Sequence, residues 1–441
     1  MGNPFNPGAG RKPPYLAGRG QVTSSVKADM QRVYDDSEGM RPVIVSGLRG
    51  MGKTVLLREL GDFARSQGWV AIWVEASKGD SLARKLAQAI YVELRRLRSA
   101  ERLTGRAFEH ALAVLRSFQL KIDPSGAYSF GIDIDPAKGY ADSGDLSLDL
   151  GDLLGALGEA ARDAGTAVLI CIDELQEASI DDLRALNVAL HNIGQGSAPV
   201  PVFFVGAGLP TLPAVLAEAS TYAERMYRFY TLDTLEPEAA KAAYVEPVEE
   251  YGSRWEGDAL NAAIEAAAGY PYFIQQCGFC ICEQIEPPAA ITVVEVAAGI
   301  ELAREELARG LYRSRWDRAT MKGKEFMRAM AIDDGASQLG DIAQRMGKKS
   351  ANGLSVLRDR LIRDGLIYAP ERGYVAFTVP GMADYIERAE EMAELTWTAG
   401  DSVRAAVVAT AANQVANDRL GENSAAPRLP GAAGEGDLRL G

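Results

Sequence analysis

Short apolar runs alternate along this chain with longer stretches in which apolar residues return every three or four positions. The runs Val43–Ser46, Trp69–Val74, Ala167–Ile172, Val200–Val205 and Phe229–Leu232 are rich in β-branched and aromatic residues. Runs of this kind read as strands buried on both faces of a parallel sheet. Between them, Val26, Met30 and Val33 share one face of a helix reaching about Asp36, and Val55, Leu56, Leu60 and Phe63 share one face of a helix over 54–65. Amphipathic helices are also expected over 81–98, 107–118 and 180–193. Strands and helices in this alternation predict an α/β core over 23–235, a five-stranded parallel sheet with helices on both faces.

Past residue 235 the strand signal stops. Residues 236–312 are helical and Ala-rich, with one helix opening at Gly269-Tyr-Pro-Tyr-Phe-Ile-Gln275 and another at the capping box Thr292-Val-Val-Glu295; they predict a helical lid. Residues 313–390 hold a helix over 322–331, a second over 339–346, a Gly347-Lys-Lys turn and a third helix over 350–364. Two strands follow, 366–369 and 374–378, joined at Glu371-Arg372-Gly373. Helix, turn, helix and hairpin predict a winged helix. Residues 1–22 are rich in Pro and Gly and predict an extended arm able to lie across the base of a nucleotide. Residues 391–441, which turn to Ala, Gly, Asn and Pro, predict a disordered tail. One segment breaks the core's rhythm: residues 121–152 carry seven Asp against two Lys, with Tyr128, Phe130, Ile132 and Ile134 alternating. The expectation there is an inserted acidic hairpin.

A chain of 441 residues, 47% hydrophobic, has the length for two to four compact units. Its formal net charge of -13 excludes a protein that coats nucleic acid without specificity, because such binding rests on clustered Lys and Arg. No apolar run reaches the ~18 residues that cross a bilayer, so no membrane partner is expected, and the cytoplasm is the expected location. Cys171, Cys277, Cys280 and Cys282 are too few for a disulfide framework. The group Cys277-Gly-Phe-Cys280-Ile-Cys282 lacks a nearby fourth ligand and reads as small buried thiols.

The candidate chemistry lies at the end of the first strand. Gly47-Leu48-Arg49-Gly50-Met51-Gly52-Lys53-Thr54 has the spacing of a phosphate-binding loop between a strand and a helix. Its glycines let successive backbone N–H groups turn around a phosphate, and the helix that follows offers its positive end. Lys53 would neutralise the β- and γ-phosphates, and the Thr54 hydroxyl would hold Mg²⁺. The strand Ala167–Ile172 runs into Asp173 and Glu174, as a nucleotide-hydrolysing site requires. Asp173 would orient the metal and its water, and Glu174 would polarise the attacking water.

These motifs resemble those of the AAA+ ATPases, specifically the origin-recognition-complex-like, archaeal-type branch that joins an ATPase core, a lid and a winged helix. The resemblance covers roughly residues 14–390 and rests on Gly47–Thr54, Val168-Leu-Ile-Cys-Ile-Asp-Glu174, Gly206-Ala-Gly-Leu-Pro210 and Gly269-Tyr-Pro-Tyr272. It implies a P-loop NTPase core with strand order 5-1-4-3-2, ATP with Mg²⁺ between core and lid, and work as an oligomer. In such oligomers an arginine reaches the neighbouring subunit's γ-phosphate, and Arg225 and Arg228 are the matching candidates. Two positions depart from the pattern: Gly206-Ala207-Gly208 stands where relatives often have a polar residue, and Gln275 and Gln276 stand where they often have an arginine.

Residues 321–388 carry eleven Lys and Arg against nine Asp and Glu, a net of +2 in an acidic chain. Lys348, Lys349, Arg358 and Arg372 lie on the turn, the helix over 350–364 and the wing, the candidate contacts for double-stranded DNA. The reading is an ATP-hydrolysing switch whose nucleotide state controls DNA or partner docking. Its alternative is a nucleotide-ordered scaffold with little turnover that uses the winged helix for protein contacts. A kinase passing phosphate to a small acceptor fits less well, since lid and winged helix suit inter-domain motion.

Overall fold

A computed structural model of the chain describes residues 2–35, 41–99, 105–123, 134–195 and 200–389. Residues 1–380 form one compact unit; the second, 381–441, is described only over 381–389, of which 382–389 are helical.

Five parallel strands make the central sheet: β1 (Val43–Gly47), β2 (Val70–Glu75), β3 (Val168–Asp173), β4 (Val202–Gly208) and β5 (Arg228–Leu232). Their order, β2-β3-β4-β1-β5, is the expected 5-1-4-3-2 read from the other edge. It places β1 between β4 and β5 and β3 between β2 and β4, so the carboxyl ends of β1 and β3 flank that of β4. That is the P-loop NTPase arrangement, in which ligands lie outside the carboxyl ends of the strands. All five residues of β1 and all six of β3 are buried, because helices cover both faces. Polar side chains there would lose their hydration without a partner, and for this reason the sequence offers Val, Ile and Leu instead.

The strand expected over 200–205 begins at Val202 and runs on to Gly208. Its glycines sit inside the sheet, where a Cβ on Gly206 would press to 2.8 Å from Leu175 and 2.9 Å from Ile44. The expected acidic hairpin is corrected in part. Residues 124–133, with Tyr128, Phe130 and Ile132, lie outside the described residues, and Leu146–Asp163 is a helix capped by Asp145. Leu150, Leu153, Leu154 and Leu157 recur at helical spacing and bury against the core, outweighing the acidic residues between them.

After the sheet come the helices Pro237–Glu250, Ala259–Ala267, Pro271–Cys282 and Val293–Leu307. The capping box forms as expected: Thr292 accepts from Val294 N at 3.2 Å, and Thr292 N donates to Glu295 Oε2 at 2.8 Å. A pair of two-residue parallel strands, Arg254–Trp255 with Ala290–Ile291, joins these helices and has no periodic signal in the sequence. The helical path continues through a π-helical turn, Ala308–Tyr312, into the helix Arg313–Arg318.

Helices Met321–Ala331, Leu339–Arg345 and Ser355–Arg363 follow, with a three-stranded antiparallel sheet in which Tyr374–Phe377 lies between Ser337–Gln338 and Ile367–Tyr368. The strand Ser337–Gln338 is too short to show a period-two pattern.

Residues 2–19 pack along the same unit. Phe5 is 2% exposed, its ring 5.9 Å from that of Tyr244. It lies where a Cβ on Gly278 would come to 2.5 Å, so the glycine in the lid helix is a seat for the ring. Asn3 Nδ2 donates to Phe279 O at 2.9 Å, and Lys12 and Lys27 grip Glu59 of the phosphate-loop helix at 2.6 and 2.7 Å.

Candidate functional site

The loop from Gly47 to Gly52 leaves β1 and enters the helix Lys53–Ser66 through two backbone positions that favour glycine, Gly50 at φ 84° and Gly52 at φ 90°. Gly50 is also pressed by the lid: a Cβ there would meet Tyr270 Cε1 at 2.9 Å. Lys53 is 6% exposed and donates to the carbonyls of Gly47 and Leu48, both at 2.9 Å, which closes the loop on its own lysine. Burial pushes the Lys53 ammonium below its ordinary value of 10.5, while Glu174 and Asp173 oppose the shift.

The end of β3 reaches this loop from the side. Thr54 Oγ1 donates to Asp173 Oδ2 at 2.6 Å, and Asp173 Oδ1 accepts from Glu174 N at 2.9 Å. Burial raises Asp173 above the usual 3.8, although both hydrogen bonds pull the other way. Hydroxyl and carboxylate at this separation are the hard oxygen donors that Mg²⁺ takes in ones and twos, filling its other positions with water and phosphate.

Glu174 adopts φ 49°, ψ 37°, a left-handed conformation that costs a residue with a Cβ about 1–3 kcal/mol and concentrates at functional sites. Its carboxylate is held twice. Gln176 Nε2 donates to Glu174 Oε2 at 2.5 Å, and Arg49 Nη1 lies 3.6 Å from Glu174 Oε1. Gln176 is anchored in turn, its Oε1 accepting from Leu209 N at 3.0 Å. Gln176 carries no local sequence signal, since its partner is 33 residues away on the loop after β4.

The phosphate loop, Glu174, residues 6–19 and the start of the helix Pro271–Cys282 together enclose a cleft of about 330 Å³. The arm contributes Gly8–Arg11, Tyr15, Leu16 and Ala17, and Arg19 ties it to the loop by donating to Met51 O at 3.2 Å and to Asp233 O at 2.5 Å. The helix Pro271–Cys282 and its N-cap contribute Tyr270, Tyr272, Ile274 and Gln275, and the helix Arg313–Arg318 contributes Arg315. Among the described residues, two buried polar atoms on this cleft lack a hydrogen-bond partner, Arg49 Nε and Tyr270 Oη. An unpaired buried donor costs roughly 1–3 kcal/mol, and a polar ligand in the cleft would offset that cost.

The structure brings Gly47–Thr54, Asp173 and Glu174 into one site and leaves the other candidates outside it. Arg228 is bound to Asp29, Nη1 to Oδ2 at 2.7 Å, and its guanidinium lies 5.2 Å from the Tyr230 ring. Arg225, in the short helix Ala223–Met226, is exposed. Lys348, Lys349 and Arg372 are exposed on turns, and Arg358 pairs with its neighbour Asp359 at 2.7 Å. Gln275 accepts from Asn6 N at 3.1 Å and Gln276 donates to Glu306 at 2.6 Å, so both lid glutamines are engaged. The cysteines of the lid helix are buried free thiols. Among the described residues no helix is long and apolar enough to cross a membrane.

Comparison with known proteins agrees with this geometry. Residues 15–205 match the AAA ATPase domain, and residues 309–386 match a domain family of unknown function. The Walker-type ATPase of Pyrococcus abyssi is similar in structure, with a TM-score of 0.56 at 14% identity, covering 84% of this chain and 96% of that one. The ORC2 protein of Aeropyrum pernix, in its ADPNP–ADP complexes, gives a TM-score of 0.51 at 14% identity over 87% and 97% of the two chains. At such identity the likeness is one of fold. No curated protein matches the chain.

Proposed function

We propose that this protein is an ATP-binding and ATP-hydrolysing switch of the AAA+ type, resembling the origin-recognition-complex-like branch, with a helical lid over 236–312 and a winged helix over 313–390. The observation that carries the reading is the 2.6 Å hydrogen bond from Thr54 to Asp173, which joins the phosphate loop to the strand end whose next residue is Glu174. Thr54 and Asp173 would hold Mg²⁺, which would supply positive charge against the phosphates. Phosphate in the loop gives Lys53 a charged acceptor in place of the Gly47 and Leu48 carbonyls. Glu174 orients the attacking water and takes its proton. The arm packs against the base, and Tyr270 offers its unpaired hydroxyl from the lid.

Arg225 suits an inter-subunit role better than Arg228, whose charge is already met by Asp29. Such a role requires self-association and is worth orders of magnitude in rate. Lys348, Lys349 and Arg372 supply a modest electrostatic contribution to docking on double-stranded DNA.

One observation favours the rival reading of a nucleotide-ordered scaffold: Glu174 is held by both Gln176 and Arg49, away from work as a base. ATP turnover measured at several protein concentrations, with and without duplex DNA and with Lys53→Ala as blank, separates the two. The switch predicts turnover that rises with concentration and DNA. Turnover at the level of the blank despite ATP binding selects the scaffold.

A further inference from the structure

Arg315 stands in an unusual place for a guanidinium. It lines the same cleft as the phosphate loop, although it belongs to the helix Arg313–Arg318 more than 260 residues along the chain. Its hydrogen bond among the described residues is to the π-helical turn before its helix, Nη1 to Leu311 O at 2.8 Å, and no carboxylate there pairs with it. The charged groups that act on it most strongly are cations: Arg49 from the phosphate loop and Arg318 from its own helix; the other two are the hydroxyls of Tyr270 and Tyr272. Burial and this repulsion lower its proton affinity, as expected where positive charges converge without an anion between them.

Arg49 completes the pattern. Its Nη1 leans on Glu174 at 3.6 Å, its buried Nε has no partner, and its Nη2 lies 3.2 Å from where a Cβ on Gly365 would stand. The π-helical turn Ala308–Tyr312 precedes Arg315, and Leu311 within it lines the cleft beside Arg315. Single-turn insertions of this sort recur at functional sites. Two arginines with unspent donors, Arg49 within the phosphate loop and Arg315 facing it across the cleft, form a built acceptor for an anion.

We propose that Arg315, together with Arg49, holds the terminal phosphate of a bound nucleoside triphosphate, so that the helix Arg313–Arg318 is drawn onto the phosphate loop only while that phosphate is attached. Arg49 would exchange Glu174 for phosphate, releasing the carboxylate. The inference rests on the reading of the phosphate loop as a nucleotide site.

The test is the affinity of the full chain for two probes with Mg²⁺, adenosine β,γ-imidotriphosphate and ADP, followed by titration calorimetry. Arg315→Ala is expected to weaken the triphosphate about 10- to 100-fold, the range for a charge-assisted pair in a partly closed site, and to change ADP binding less than about 3-fold. Arg315→Lys, a point charge without the planar fork, is expected to recover part of the preference. Equal losses for both probes in Arg315→Ala and Arg315→Lys would show a structural prop, and unchanged affinities a bystander; either overturns the proposal. Lys53→Ala distinguishes the underlying reading: if it leaves both probes bound as before, the phosphate-loop site itself is wrong, and Arg315 falls with it.

Discussion

Gln176 bridges the ends of two strands: its amide nitrogen donates to the Glu174 carboxylate at 2.5 Å and its amide oxygen accepts from Leu209 N at 3.0 Å. A carboxylate held this way must break a charged hydrogen bond before it can turn to a water. Gln176→Ala is therefore expected to raise ATP turnover, by up to about 10-fold given the ~1.5 kcal/mol that separates such a bond from none, with ATP affinity unchanged. A fall in turnover would mean that Gln176 aims Glu174 instead of restraining it.

Glu174→Gln keeps the shape and loses the base. Turnover is expected to drop about 10²- to 10⁴-fold, while ATP still binds, because the phosphate loop is untouched. Single-turnover kinetics beside equilibrium binding checks this, and hydrolysis at the wild-type rate sinks the assignment.

Asp173 carries a sign that separates stability from activity. Burial raises its folded pKa above the unfolded 3.8, so its carboxylate costs stability, and the cost grows as pH rises from 3.8 through the folded value. Asp173→Asn removes that cost and retains partners for Thr54 and Glu174 N. The nucleotide-free variant is expected to melt no lower than wild type near neutral pH, while Mg²⁺-dependent turnover falls at least ~100-fold. A lower melting point would show that the ionised carboxylate stabilises the apo site.

Asp333 and Arg345 give the opposite sign. Arg345 reaches both Asp333 oxygens at 2.6 Å and holds that carboxyl below its usual value of 3.8. The contribution is present above 3.8 and is lost as pH falls through the lower folded value. It is small because the pair is partly solvated. In Asp333→Asn the loss of stability below about pH 4 is expected to be shallower than in wild type, read from melting points along a pH series.

Phe5 anchors the arm. Phe5→Ala empties a site framed by Tyr244 and Gly278, a deletion that costs about 3 kcal/mol in a core. A terminal segment can detach locally, so the expected result is faster proteolysis within residues 2–19 with a nearly unchanged global melting point. Gly278→Ala should do the same by crowding the ring. Protection of the arm in both variants would show that other contacts hold it.

The sequence by itself determined the sheet and the heart of the site. β1 and β3 are runs of Val, Ile and Leu because both faces are buried, and the Gly47–Thr54 and Asp173-Glu174 motifs are local, each written in consecutive residues whose backbone geometry does the work. Tertiary structure decided what depends on distant partners. Whether 146–152 was strand or helix turned on leucines burying against the core. Whether Arg228 was available turned on Asp29, 199 residues away. Gln176 meets Leu209, Arg19 meets Asp233 and Arg315 reaches the cleft only because the loop after β4, the first residues and the helix Arg313–Arg318 pack against the core. Local periodicity encodes which face of an element is buried, but not which distant donor will meet which acceptor, because that pairing is fixed by the packing of whole elements.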